Sequence, residues 1–157
     1  MSSATTQDTA ITNLADQLAA RPGLADAAVA SAQYPLGYHG NKDVIELWQT
    51  EMEHDWALLG GRSTEEQYRI HGAIYAFRPG ASESVVRTAR AGAAAILDEL
   101  LAYLRADPQL RDYPANATPA VRVARLERCT IDQGFDDTGR YCLIEFWIKC
   151  EARLSGT

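Results

Sequence analysis

The chain lacks the sequence patterns that most often indicate catalysis or metal binding. It has three cysteines and three histidines, and they form no CxxC, HxxxH or HExxH motif. A zinc site needs three or four such ligands at characteristic spacing, so we expect no metal site. The GxSxG, GxGxxG and GxxxxGK(S/T) patterns are also missing, and with them the nucleophile and the phosphate-binding loops that they indicate. We therefore expect neither an enzyme nor a bound cofactor.

Positive charge and long apolar runs are scarce as well. The 15 Lys and Arg residues stand against 21 Asp and Glu residues, which gives a net charge of −6. A protein that wraps nucleic acid needs clustered cations to neutralise phosphates, so this balance argues against such a protein but not against one that DNA passes without being held. No apolar run approaches the roughly 18 residues of a membrane span, and the start MSSATTQDTA does not resemble a signal peptide. We expect no membrane partner and folding in a cytoplasm.

The cysteines leave two interpretations open. Cys142 and Cys150 share one face of a strand but lie too far apart along it to form a disulfide. Cys129 and Cys142 could face each other across a hairpin, which would permit a disulfide. A reducing cytoplasm favours instead two small buried hydrophobic side chains.

The most regular part of the sequence spans residues 66–104 and predicts a strand, a tight turn and a long helix. Residues 66–77 alternate with the period of two that a half-buried strand shows. After the turn, Ser82 can cap a helix whose apolar residues recur at helical spacing. Gly72 and Ala76 leave shallow places on the strand, and we expect the helix to pack there.

The whole pattern predicts one α+β domain over residues 7–154 after a flexible tail at residues 1–6. Its elements follow the order α-β-β-β-α-β-β. Short connections favour a single, mostly antiparallel sheet with two helices on one face. The predicted segments are a helix at 7–20, strands at 27–34, 43–49, 66–77, 120–132 and 140–154, and a helix from 82 to 104.

Some stretches fit neither period. We interpret residues 35–41 and 107–119 as loops because they are rich in turn-forming residues. Residues 50–65 are acidic at first and apolar afterwards, and residues 133–139 form a long turn. The apolar residues of the fourth predicted strand change face part-way, which predicts a β-bulge near Ala124.

The sheet face turned away from the helices is expected to be half apolar. The same alternation places Trp147, Tyr75 and Phe77 on it. This is more exposed aromatic surface than a monomer usually carries, and it is typical of a subunit that assembles with others.

The segment DWALLGGRSTEEQYRIHGAIYAFRPG, with the alanine-rich helix after it and a closing strand ending in ARL, resembles small tail-terminator, or tail-completion, proteins of siphoviruses that infect actinobacteria. That resemblance implies a structural role without catalytic residues. The features that carry it are Trp56, Gly61 with Arg62, Glu65 with Glu66, the strand at 68–77, the turn Arg78-Pro79-Gly80 and the helix exit YLRADPQL at 103–110.

The resemblance implies an assembly and a place in the virion. Subunits form a ring, usually of six copies, on the head-proximal end of the tail tube, after assembly in the host cytoplasm. The partners are then other copies of the chain, the tail tube protein and the head-tail connector or stopper protein. DNA passes through the ring without specific binding.

Two groups of side chains are candidates for the contacts of such an assembly. Trp and Leu residues clustered on a loop are typical interface anchors, although they can also pack against their own domain. An acidic lining lets DNA pass through a bore without binding. The candidate interface residues are Trp48, Trp56, Leu58, Leu59 and Trp147, and the candidate lumen or rim residues are Asp43, Glu46, Glu51, Glu53 and Asp55.

Two alternatives to a tail terminator stay open. Another neck component, such as a head-completion or stopper protein, would share the small size and the absence of catalytic motifs. A small cytoplasmic ligand-binding domain or enzyme would need polar groups that converge on a pocket between helix and sheet. Ile144, Phe146, Ile148 and Cys150, which are predicted to face inward, offer almost none.

Overall fold

The computed structural model describes residues 6–31, 43–55 and 63–155, with the backbone alone for 49–55, 63, 64 and 155. This part of the chain forms two helices and a five-stranded sheet, so the predicted α+β class is confirmed. The elements are α1 (Gln7–Ala19), a 3-10 turn (Pro22–Leu24), β1 (Ala28–Ala30), β2 (Val44–Asp55), β3 (Ser63–Pro79), α2 (Glu83–Ala106), β4 (Val123–Phe135) and β5 (Gly139–Ser155).

The sheet is mixed, and its strands do not lie side by side in chain order. Their spatial order is β1-β2-β3-β5-β4. The β1–β2 pair is parallel, whereas the β2–β3, β3–β5 and β4–β5 pairs are antiparallel. Consequently β3 and β4 run in the same direction, α2 joins them, and β5 inserts between them. Periodicity reports which face a side chain takes but not which strand lies next to it, so the sequence did not predict this order.

The face of the sheet that the helices cover holds the core. In the β3–β5 pair, Ile74 lies opposite Ile144 and Gly72 lies opposite Phe146, and Ile45 of β2 lies opposite Ile74. Apolar residues of both helices pack against this one face, as the alternation predicts. The largest fully buried side chains are Phe146, Leu14, Leu18, Ile45, Leu47, Ile70, Ile74, Leu100, Leu110, Ile144, Ile148 and Glu66.

The place that Gly72 leaves in the sheet is filled by a neighbouring strand rather than by the helix. A methyl group on Gly72 would collide with the ring of Phe146 and with the backbone oxygen of Glu46. The ring of Phe146 therefore covers the glycine across the strand pair, a common compensation for glycine in a sheet. α2 packs against β3 as expected, with Ala76 and Ala93 in the shared core, but at Gly72 itself the side chain directly opposite fills the place.

The N-terminus of α1 is tied to the sheet by a buried carboxylate. The backbone N–H of Thr6 donates to Oε2 of Glu66 at 3.0 Å, and the Thr6 hydroxyl donates to the same oxygen at 2.8 Å. The Thr6 hydroxyl also lies 2.9 Å from the hydroxyl of Tyr68, whose pKa is raised mainly by burial. A negative charge at a helix N-terminus is favourable. Thr6, which the sequence places in the tail, therefore belongs to the folded part of the chain.

The connection between α2 and β4 is a packed loop. Asp107 is buried and accepts hydrogen bonds from the Tyr103 hydroxyl at 3.1 Å and from the backbone N–H and Nη1 of Arg111 at 2.8 and 3.0 Å. The side-chain amide of Asn13 donates to the carbonyl of Leu110 at 2.9 Å. This loop has no helix or strand, as predicted, but α1 and Asp107 hold its first half in place.

Two strands extend into residues that were predicted to be irregular. β2 continues to Asp55 and β3 begins at Ser63, so residues 50–55 and 63–65 are strand. Their side chains do not alternate in hydrophobicity, but backbone pairing between β2 and β3 keeps them extended. Conversely, β1 has only three residues, and the predicted loop at 35–41 lies outside the described residues.

The end of the sheet at β4 also differs in detail from the prediction. β4 runs from Val123 to Phe135, and its bulge lies between Leu126 and Arg128 rather than near Ala124. The turn that follows is correspondingly shorter. In that turn, the Asp136 carboxylate accepts hydrogen bonds from the side chain and backbone of Thr138, and these bonds lower its pKa.

Candidate functional site

The back face is the face of the sheet opposite α1 and α2, and no helix of the described ranges lies on it. One row of side chains crosses four strands there. Trp48 of β2 lies opposite His71 of β3, which lies opposite Trp147 of β5, which lies opposite Arg128 of β4. We call these four residues the aromatic ladder.

The members of the aromatic ladder stack on one another. The rings of Trp48 and His71 are 4.4 Å apart between centroids and tilted by 57°. The His71 and Trp147 rings are 4.6 Å apart and nearly parallel, at 12°. The Arg128 guanidinium carbon lies 4.1 Å from the centre of the Trp147 ring, a cation–π contact. Each ring is thus held by its neighbours while it stays half-buried, which gives a fixed and partly apolar surface.

A carboxylate borders the ladder on the same face. Nε2 of His71 lies 3.4 Å from Oε2 of Glu145, whose side chain is exposed. In the next row of the sheet, Glu145 lies opposite Ala73, a small residue that is itself buried. The ladder therefore has a negative charge at its centre and a positive charge at its β4 end.

A second aromatic group continues the back face toward the turn between β4 and β5. Tyr75 and Tyr141 lie 5.8 Å apart between ring centres, and Phe77 lies opposite Tyr141 in the strand register. Burial is the main cause that raises the pKa of Tyr75. Gly134 of β4 makes room for the Tyr141 ring, because any larger residue there would collide with it. Aromatic side chains thus follow the back face over several rows.

Ion pairs lie on the side of the ladder that faces away from Tyr75 and Tyr141. Oε1 of Glu65 accepts hydrogen bonds from Nη2 of Arg153 at 2.6 Å and from Nη1 of Arg122 at 3.3 Å. Arg69 holds Glu127 through two hydrogen bonds of 2.5 and 3.0 Å, and the Arg69 bond lowers the pKa of Glu127. Such exposed pairs add little stability and keep the rim polar. An apolar centre inside a polar rim is the usual layout of a protein contact surface.

The predicted interface residues fall into two groups. Trp48 and Trp147 are brought onto one surface, joined through His71. Trp56, Leu58 and Leu59 lie outside the described residues. The sequence missed His71 and Arg128 as members of this surface, because only the register of four strands places them in one row. The available signals were the outward position of Trp147 and the alternation of residues 66–77, which places His71 on the same face as Tyr75 and Phe77.

The predicted acidic cluster is divided between the two faces of the sheet. Asp43 lies on the helix side, where Nη1 and Nη2 of Arg78 donate to its two oxygens at 2.6 and 2.9 Å and where Gly92 of α2 leaves space for the pair. Hydrogen bonding to Asp43 is the main cause that raises the pKa of Arg78. Glu46 lies on the back face, and its relative exposure is only 3%.

The structure thus places Asp43 in an ion pair beside α2 and Glu46 in a buried position of the back face, and their predicted place at a bore or rim stays a prediction. Their odd separation along one strand points the two side chains to opposite faces. Glu51, Glu53 and Asp55 lie in β2, where the structure describes the backbone alone, so their predicted position at a bore or rim stays a prediction.

No other reactive cluster stands out. Within residues 6–31, 43–55 and 63–155, no three His, Cys, Asp or Glu side chains come close enough together to hold a metal ion. In the same ranges neither helix is long and apolar enough to cross a membrane. The three cysteines are free, because Cys129 lies opposite Phe146 and Cys142 lies opposite Gln133. Cys129 is also exposed, which contradicts the expectation that it is buried.

These positions predict the reactivity of the thiols. Burial raises the pKa of Cys142, and it raises the pKa of Cys150 to about 12, so neither is a thiolate at pH 8. We expect iodoacetamide to modify Cys129 in the native protein and all three cysteines after unfolding. Intact-protein mass spectrometry would measure one added group before denaturation and three afterwards. Equal rates at the three thiols in the native protein would contradict the burial of β5.

No protein-family model and no curated protein matches the chain. The likeness to tail terminators therefore depends on the sequence features quoted for residues 55–80 and 103–110.

Proposed function

We propose that the chain is a structural virion subunit, a tail terminator that forms a ring on the head-proximal end of a phage tail tube and joins it to the head connector. The observation that carries this proposal is the difference between the two faces of the sheet. Two helices seal one face, whereas the back face carries a fixed, half-exposed aromatic ladder. A subunit whose role is to be held by neighbours needs such a face, and a solitary monomer does not.

The aromatic ladder is suited to binding another protein. Trp and Arg are the residues that most often dominate the binding energy of interfaces, and here Trp48, Trp147 and Arg128 lie in one row. Because stacking already restricts their side chains, little conformational entropy is lost on contact. The ladder is therefore the part of the back face that we assign to contact with the tail tube or an adjacent subunit.

The runner-up is another neck component, the head-completion or stopper protein. It would use the same back face and needs no catalytic group, so the fold supports it equally. The quoted sequence features at residues 55–80 and 103–110 favour the terminator. Purification of the chain with tail tubes rather than with filled heads would separate the two roles.

The test of the proposal is the mass of the assembled protein. Native mass spectrometry over a range of concentrations should detect a species of about six times the 17.2 kDa chain. Replacing both tryptophans of the ladder (Trp48→Ala with Trp147→Ala) should weaken binding to tail tubes, or assembly itself, at least about tenfold. Tyr113→Ala, which removes an exposed aromatic ring from the α2–β4 loop, is the matched control and should change neither.

Two results would contradict the proposal in different ways. A wild-type chain that stays monomeric at every concentration and does not bind tail tubes would contradict the proposed ring. If the double tryptophan variant is folded, as judged by circular dichroism, and still assembles and binds like the control, the ladder is not the contact surface.

A further inference from the structure

The two edges of the sheet are incompletely paired within the described ranges. At one edge, β1 covers only Val44–Glu46 of β2, so the rest of β2 has no strand on its outer side there. At the other edge, β4 pairs with β5 alone, and the loop before it reaches only the N–H of Ala124, which donates to the carbonyl of Pro108 at 2.6 Å. Two long runs of backbone donors and acceptors thus face outward.

The first part of the β4 edge, residues 122–128, is basic, with three arginines against Glu127, and Asp132 lies further along the strand. Arg122, Arg125 and Arg128 recur along it, and the side chains of Arg122 and Arg125 are 58% and 64% exposed. The bulge between Leu126 and Arg128 keeps Arg125 and Arg128 on the same face, since both lie opposite back-face residues of β5. Within the chain, the ion pair from Arg125 to Glu151 is long, at 3.8 Å, whereas Arg122 donates a hydrogen bond to Glu65 at 3.3 Å.

The β2 edge is acidic. Beyond its contact with β1, the strand reads LWQTEMEHD and contains Glu51, Glu53 and Asp55 but no Lys or Arg. Positions 53 and 55 lie opposite Gln67 and Glu65, which are back-face positions of β3. Backbone pairing therefore gives positions 53 and 55 the back-face register of β3, and Arg125 and Arg128 of β4 have the corresponding register opposite β5.

We propose that the β4 edge of one copy pairs with the β2 edge of a second copy and thereby continues the sheet from subunit to subunit. This contact joins two different surfaces, and its repetition closes into a ring when the rotation between neighbouring copies divides a full turn, so the inference rests on the ring of the proposed function. Three antiparallel pairings separate β2 from β4, so the two strands are antiparallel within the chain. If neighbouring copies are related by rotation about an axis parallel to the strands, every copy keeps the same strand directions. β4 of one copy then lies antiparallel to β2 of the next copy.

Charge complementarity explains why a β4 edge would pair with a β2 edge rather than with another β4 edge. Basic β4 edges repel one another, as do acidic β2 edges, whereas a basic edge attracts an acidic one. The backbone groups add the hydrogen bonds of an antiparallel ladder. This contact leaves His71 and Trp147, which lie on the inner strands β3 and β5, free for a different partner, whereas Trp48 and Arg128 lie on the two strands that meet. It places Glu51, Glu53 and Asp55 between subunits rather than in a bore.

The experiment uses two variants of the full chain. One reverses charge on the basic edge (Arg122→Glu with Arg125→Glu), and the other reverses charge on the acidic edge (Glu51→Lys with Glu53→Lys). Each variant alone places like charges at every contact, so its association constant should fall at least about tenfold. In an equimolar mixture every contact is complementary again, because each altered edge meets the altered edge of the other variant. Analytical ultracentrifugation of both variants and of the mixture measures the effect.

The matched control is the double reversal Arg87→Glu with Arg90→Glu on the exposed side of α2, which should assemble like the wild type. Loss of assembly in each edge variant and recovery in the mixture support the edge contact. Assembly of either edge variant alone, or a mixture that stays dissociated, overturns the edge contact. The proposed ring is not contradicted by that result as long as the wild-type chain assembles. A wild-type chain that never assembles overturns the ring itself, which is a separate result.

Discussion

Phe146→Ala should lower the free energy of unfolding by about 3–5 kcal/mol, the usual cost of removing a buried phenylalanine. Its side chain is fully buried and fills the gap over Gly72 between β3 and β5. The glycine opposite has no side chain that could move into the vacated volume. Urea unfolding at one fixed protein concentration, followed by fluorescence, measures the change.

Phe135→Ala is the matched control, since it makes the same chemical change on the same sheet. The Phe135 side chain is 75% exposed at the end of β4, where the Arg140 guanidinium lies over its ring. We expect an effect within about 0.5 kcal/mol, as for other surface substitutions. Equal losses in the two variants would mean that the β3–β5 pair does not form the core as described.

Asp107→Ala should lower the free energy of unfolding by about 2–3 kcal/mol, because it leaves a buried hydroxyl and a charged donor without their acceptor. The hydroxyl is that of Tyr103, whose pKa is raised mainly by burial, and the charged donor is Arg111. The backbone N–H of Arg111 loses its acceptor as well. Hydrogen exchange at that N–H should accelerate, which shows that the loop opens locally.

The control for Asp107 is Asp98→Ala, an exposed aspartate on the same helix, α2. It removes a carboxylate without removing any of the acceptors described for the loop, so neither stability nor exchange at Arg111 should change. Unchanged exchange in the Asp107 variant would contradict its role in anchoring the loop.

Local periodicity predicted the fold well where one face of an element is buried. The alternation in β3 and β5 placed Ile74 and Ile144 in the core and Trp147 outside it, because burial of one face requires a period of two. It could not predict the parallel pairing of β1 or the extension of β2 to Asp55, since backbone pairing determines both. Ser82 lies at the predicted helix start, but its hydroxyl bonds that of Ser84 and caps no backbone N–H.

The candidate contact surface was only partly predictable for the same reason. Tyr75 and Phe77 were predicted on the outward face from the alternation of β3, and the register places them opposite back-face residues of β5. The stacking of His71 between two tryptophans depends on three strands that are distant in sequence. The separation of Asp43 from Glu46 follows from strand parity, but the buried position of Glu46 does not.

The placement of β5 has a consequence for synthesis on the ribosome. It is translated after β3 and β4, yet it lies between them and supplies Phe146 and Trp147. A nascent chain that has not yet released β5 from the exit tunnel holds two long strands without their common neighbour. Chaperones would then bind an incomplete sheet. Neither its core nor its back face can form before translation of this segment is complete.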